Sequence, residues 1–231
     1  MANYSLSLTI TQADLNIIKG AGQRITLAKP VSSGDPNVVW LSIDPFQNTT
    51  VEWKEEYWIY ASTSEITQGT QIAKISEVSP GPAQDAGYYT FTSAATFTPF
   101  TKETNIAEGT YVANNEMPFS QYPVLTFGLS QSALVSKKPV ERKPISAQSV
   151  LSRQKMEATP FTNVHVWLQS QFASETIITR IVGNSTVAKF GGGVNEISLA
   201  YDANKGVFVP AAESAKLHDK GLILLRTPLV I

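Results

Sequence analysis

The stretch Val51-Glu52-Trp53-Lys54-Glu55-Glu56-Tyr57-Trp58-Ile59-Tyr60 gathers carboxylates and large aromatic rings within one short segment. If it is extended, successive side chains point to opposite faces. Val51, Trp53, Tyr57 and Ile59 then share one face, interrupted by Glu55, and Glu52, Lys54, Glu56, Trp58 and Tyr60 share the other. The first set reads as core. The second suits a sugar, whose apolar C–H face stacks on a ring while its hydroxyls exchange hydrogen bonds with carboxylates. The candidate ligand-binding residues are therefore Trp58 and Tyr60 as a stacking platform, with Glu52 and Glu56 as hydrogen-bond acceptors. The competing expectation is an aromatic patch covered by another part of the chain or by a second subunit.

Catalytic constellations have little material to work with. A nucleophilic triad needs a histidine base beside a serine or cysteine, and the chain has no cysteine and only two histidines, His165 and His218. His165 sits between Val164 and Val166 in an expected strand, and His218 directly precedes Asp219, where adjacent residues do not face each other. No zinc or calcium ligand spacing is present, and Gly191-Gly192-Gly193 lacks the Lys-Ser/Thr of a phosphate loop. Glu52 and Glu56 share a face, but paired-acid glycoside hydrolysis is the weaker expectation. The reading is a non-enzymatic protein with no metal and no cofactor.

The elements that must position these residues are strands. Tyr4, Leu6, Leu8 and Ile10 alternate with Ser5, Ser7 and Thr9, the period of a strand buried on one face. Thr11 followed by Asp14, with Leu15, Ile17 and Ile18 ahead of Gly20, predicts one short connector helix. Further strands are expected at 24–29, 38–43, 50–61, 71–78, 88–93 and 110–113, then at 124–129, 164–169, 176–182, 186–190, 196–201, 207–209 and 222–226. Gly183-Asn184 reads as the turn of a tight hairpin from Ile181 to Val187.

Five stretches recur in the same order at an offset of roughly 115 to 127 residues. Tyr4 to Leu15 is echoed from Tyr122 to Leu134, Asn37 to Leu41 by Asn163 to Leu168, and Ile72 to Ile75 by Val187 to Phe190. Glu77 to Ser79 returns as Glu196 to Ser198, and Asp85 to Phe91 as Asp202 to Val209. The expected fold is all-β: two tandem, internally repeated β-sandwich domains, 1–117 and 118–231, with segment 136–160 as a basic, proline-containing inserted loop that carries a short helix around 148–156. The first half carries a longer aromatic hairpin than the second, so any special surface is expected there.

Asp85-Ala86-Gly87-Tyr88-Tyr89-Thr90 resembles the Asp-x-Gly-x-Tyr tyrosine corner of immunoglobulin domains, with Phe91 where the cysteine would sit and Trp40 where the core tryptophan would be. The resemblance covers these few residues, implies shared sandwich logic, and is absent from Asp202 to Phe208.

With 18 basic against 19 acidic side chains, the molecule carries no field that would recruit nucleic acid. No basic leader with an apolar run opens the sequence and no stretch reaches membrane-spanning length, so a cytoplasmic location is expected. The expected function is lectin-like: binding of a glycan or other small polar ligand, in a defence or storage role, by a homo-oligomer. The alternatives are a self-assembling structural protein and a membrane-active toxin, the latter because Phe91, Ala95, Phe97 and Phe100 alternate with threonine and serine from Thr90 to Thr101.

Overall fold

Tyr4, Leu6 and Leu8 are buried while Ser5 and Ser7 are only partly so, and the N-terminal alternation becomes strand β1 (Asn3–Thr9). The computed structural model describes residues 3–32, 35–181 and 183–212. The connector helix α1 (Gln12–Gly20) follows, capped by Thr11, whose hydroxyl accepts the Asp14 backbone N–H at 3.2 Å and donates to the Asp14 carboxylate at 2.7 Å. Asp14 in the first turn and Lys19 in the last suit the helix dipole, and Leu15 and Ile18 anchor the helix to the core.

The chain continues through β2 (Arg24–Ala28), β3 (Leu41–Ile43), β4 (Asn48–Lys54), β5 (Trp58–Ser62), β6 (Lys74–Glu77), β7 (Gly87–Phe91), β8 (Thr101–Lys102) and β9 (Tyr111–Asn115). It is completed by β10 (Val124–Val135), β11 (Lys138–Pro144), β12 (Gln148–Leu151), β13 (Lys155–Ala158), β14 (Val164–Gln169), β15 (Thr186–Ala188), β16 (Glu196–Asp202) and β17 (Val207–Pro210). The all-β expectation is met. No helix among the described residues is long and apolar enough to cross a membrane.

A nine-stranded sheet is organised around β10. One edge of β10 takes β4 and then β5, and the other takes β11 and β12. Beyond β4 lie β1, β16 and β17, and beyond β5 lies β6. Two four-stranded sheets, β13-β9-β7-β8 and β15-β14-β2-β3, complete the fold. One apolar cluster runs through all three sheets, joining Leu6, Leu27, Trp53, Phe91, Phe127 and Val166. Each such fully buried side chain contributes about 1.5–3 kcal/mol relative to exposure.

The expected division at 117/118 does not follow the pairing. β1 pairs with β16, β4 and β5 with β10, β9 with β13, and β2 with β14, so every sheet draws strands from both halves. Buried strands need partners for their backbone groups on both edges, and here those partners come from the other half. The matched segments at Asn37 and Asn163 flank the same strand, since Leu41 and Val166 both pair with Leu27 of β2.

Segment 136–160 is not an inserted loop with a helical piece. It forms β11, β12 and β13. Ser136 and Lys137, at φ 47° and 68°, make the tight turn that folds β11 back on β10. That turn lacks the Asn-Gly or Asp-Gly signature, and the charges on β11 mask its alternation. The hairpin expected around Gly183-Asn184 is also different: Gly183 has a positive φ of 95°, but β15 pairs with β14, and residues 176 and 177 make only isolated bridges to Gln71 and Val38. The strand expected at 222–226 and His218 lie outside the described residues.

The tyrosine-corner resemblance has a local counterpart. The Tyr89 hydroxyl accepts the Gln84 backbone N–H at 2.9 Å, and Phe91 and Trp40 are both fully buried. In the ribbon that follows, Phe91 and Phe97 pack against each other at 5.0 Å and against Phe127 at 5.5 and 6.2 Å, while Phe100 lies 5.4 Å from Tyr89.

Candidate functional site

The stretch from Val51 to Tyr60 is one line of chain broken in the middle. Both β4 and β5 run antiparallel to β10, but Leu134 faces Glu52 and Ser130 faces Trp58, so four steps along β10 match six along the other strand. The two extra residues make a bulge at Glu55 to Tyr57, and such a bulge re-aims the side chains around it.

On the outer face the register lines up a row across five strands. Glu196 of β16 pairs with Ser5 of β1, Ser5 with Glu52 of β4, Glu52 with Leu134 of β10, and Leu134 with Pro139 of β11. This row forms the wall of a cleft of about 540 Å³, into which Glu56, Trp58 and Lys54 also project. Four carboxylates line it, those of Glu52, Glu56, Glu141 and Glu196, against the single ammonium of Lys54. Tyr4 and Trp53 border it from the strands beneath, while their rings, 5.7 Å apart, turn to the core on the other face of the sheet. Burial pushes the Tyr4 hydroxyl pKa upward, helped by the Glu55 carboxylate.

Trp58 is partly exposed. The Arg142 guanidinium sits 5.8 Å from its ring centroid and is itself held by Glu77 at 3.1 Å. Glu77 also accepts from Lys74 at 2.7 Å and from the Ser130 hydroxyl at 2.5 Å. The ring is thus oriented by a braced cation.

Of the four residues expected to bind ligand, Glu52, Glu56 and Trp58 lie together on this cleft, and Tyr60 does not. Tyr60 is on the expected face but is fully buried, its hydroxyl donating to the Ser146 carbonyl at 2.7 Å. Val38, Ile72, Ala147 and Ile177 cover it, and burial drives its pKa far upward. The platform is therefore one ring, not two. Nearly half of the cleft also comes from beyond residue 118: Ser132, Ala133, Leu134, Pro139, Glu141, Asn195 and Glu196. No local pattern could bring these to Glu52; the long-range register does.

The inner side of the bulge holds a second group of polar residues. Lys29, just past β2, is fully buried. Its ammonium donates to Gln131 Oε1 at 2.8 Å and to Glu55 Oε1 at 3.3 Å, within 5.5 Å of the ring centroids of Trp40, Trp53 and Tyr57. Glu55 accepts further bonds from Trp53 Nε1 at 3.2 Å and from the Tyr57 hydroxyl. Burial pushes the Lys29 pKa down to about 8 against the opposing pull of Glu55. It pushes the Tyr57 hydroxyl upward, and there the Glu55 carboxylate adds to the effect. The signal for this network was the acid that interrupts the core face. Glu55 also reaches a second cleft of about 580 Å³, lined by Glu56, Asp85, Lys102, Glu108 and Tyr111.

His165 lies on β14, away from both clefts. Among the described residues no group of three or more histidine, cysteine or acidic side chains is arranged to hold a metal ion. No family model matches the chain, and no curated protein and no solved structure matches it significantly.

Proposed function

We propose that this protein binds a carbohydrate, without chemically altering it, in the cleft beside Trp58. The observation that carries this reading is the concave row of Glu52, Glu56 and Glu196 set against one oriented, partly exposed indole. A sugar ring supplies an apolar face for the indole and hydroxyl donors for Glu52, Glu56 and Glu196, whose carboxylates form no salt bridge among the described residues. A glycan array with the purified chain and with Trp58→Ala tests it. The variant is expected to bind at least about tenfold more weakly, about 1.4 kcal/mol, with an unchanged circular dichroism spectrum. Absence of glycan binding by the unaltered chain would falsify the proposal.

A second reading, self-association, is favoured by one patch. Phe119, Tyr122, Val124 and Leu151 are 72%, 44%, 43% and 51% exposed, and Val124 and Leu151 face each other across β10 and β12. Exposed apolar side chains that adjoin, as Val124 and Leu151 do, mark interaction sites when they form part of a larger patch. Sedimentation velocity over a wide concentration range is expected to show a dimer or higher species, and a monomer throughout removes this reading.

A further inference from the structure

Lys29, Glu55 and Gln131 combine an enclosed amine, a carboxylate and a carboxamide at contact distance, and carbohydrate binding uses none of them. The orientation of the carboxamide is settled by its partners. Gln131 Nε2 donates to the Lys54 carbonyl at 2.6 Å, and Lys29 can only donate, so Oε1 must face the ammonium. The amide carbon is one bond beyond that oxygen. The Trp40 indole fixes the backbone here by donating to the Gln131 carbonyl at 3.1 Å.

We propose that Lys29 and Gln131 are joined by an intramolecular isopeptide bond, formed with Glu55 as the acid–base group. The Lys29 ammonium passes a proton to Glu55, and the neutral amine attacks Cδ of Gln131. The new N–C bond forms, and the Cδ–Nε2 bond breaks as the amide nitrogen takes up protons from the attacking nitrogen and from the Glu55 carboxyl. Lysine ammonium plus glutamine carboxamide become a secondary amide plus ammonium, with no oxidant or co-reactant. The enclosure favours each step. Burial holds the Lys29 pKa down to about 8, which makes the neutral amine accessible near neutral pH. The three aromatic rings hold the reacting groups together and exclude water that would compete for Cδ. Glu55, partly exposed on the second cleft, gives the released ammonia a way out. The product ties the end of β2 to the middle of β10, a covalent clamp between two sheets in a chain with no cysteine to form one.

The test is the intact mass of the purified, denatured full chain, after allowance for removal of Met1, followed by fragmentation of a protease digest. The expected result is a mass lower than the sequence by one ammonia, with a peptide containing Lys29 joined to one containing Gln131. Glu55→Gln is expected to retain the full mass, and Lys29→Arg likewise. An unaltered chain at its full sequence mass overturns the proposal whatever the variants do. So does loss of one water with Lys29 joined to Glu55, or loss of ammonia with no peptide linked to Lys29. A cross-link that survives in Glu55→Gln overturns the role of Glu55.

Discussion

Glu52 and Glu55 are three residues apart on one line of chain and meet opposite fates. Glu52 stands exposed on the cleft, level with Ser5 and Leu134. Glu55 is turned inward by the bulge and accepts bonds from Lys29, Trp53 and Tyr57. The difference shows that the bulge, and not the residue type, decides whether a carboxylate faces the cleft or the interior. An exposed acid gains and loses little with its neighbours. A carboxylate paired with a fully buried ammonium is costly to disturb, because its removal leaves that charge uncompensated.

The largest effect is therefore expected from Glu55→Leu, which strands an ammonium that has no solvent contact. Guanidinium unfolding should show a loss of about 3–5 kcal/mol from the stranded charge, and the double variant Lys29→Met, Glu55→Leu, which equally lacks the proposed cross-link, should recover that part of the loss. Glu52→Leu, by contrast, should leave stability nearly unchanged. Equal losses from Glu52→Leu and Glu55→Leu would erase the distinction between the two sides of the sheet.

Trp58 and Tyr60 sharpen the same contrast along one face. They are two residues apart, yet one ring opens on the cleft and the other lies beneath Val38, Ile72 and Ile177. The Tyr60 hydroxyl meets the Ser146 carbonyl where β10 runs so close that a Cβ on Gly128 would lie 2.7 Å from that hydroxyl and 1.9 Å from that carbonyl oxygen. Tyr60→Phe is expected to cost about 1–2 kcal/mol through the lost buried hydrogen bond and to leave ligand binding unaffected. A Tyr60→Phe chain that binds more weakly at full stability would return Tyr60 to the site.

The alternation that assigned Glu52, Glu56 and Trp58 to one face was legible because period two is a local property of extended chain. What lay outside it was any contact between distant segments. The cover over Tyr60 comes from residues 38, 72, 147 and 177, and the far wall of the cleft from β10, β11 and β16. The strand positions at β1, β2, β14, β16 and β17 were readable for the same local reason. The cross-half pairing was not, because repeated segments read as separate modules unless the partners of each edge are known. Segment 136–160 was misread because its charges hide the alternation and its turn uses Ser136 and Lys137 in place of the usual turn pair.

His165 offers a milder version of the inward case. Its ring is partly buried on β14, and Nδ1 is enclosed without a hydrogen-bond partner among the described residues. Desolvation lowers its pKa, with the Asp35 carboxylate pulling weakly the other way. Above the ordinary histidine pKa of about 6.5, folded and unfolded chains both hold it neutral, and it adds no pH dependence. As the pH falls below that value, the unfolded chain takes up a proton that the folded chain still refuses, so stability declines until the folded pKa is also passed. Lys29 is pushed down by burial as well, but Glu55 and Gln131 accept from it and offset part of that penalty, whereas His165 Nδ1 has no such partner among the described residues. Urea midpoints between about pH 8 and about pH 5 are expected to fall further in the unaltered chain than in His165→Gln, a smaller effect than either preceding substitution. Parallel curves for the two would mean that the enclosed nitrogen gains its proton as readily in the folded chain as in the unfolded one, and that enclosure without a partner costs nothing at this position.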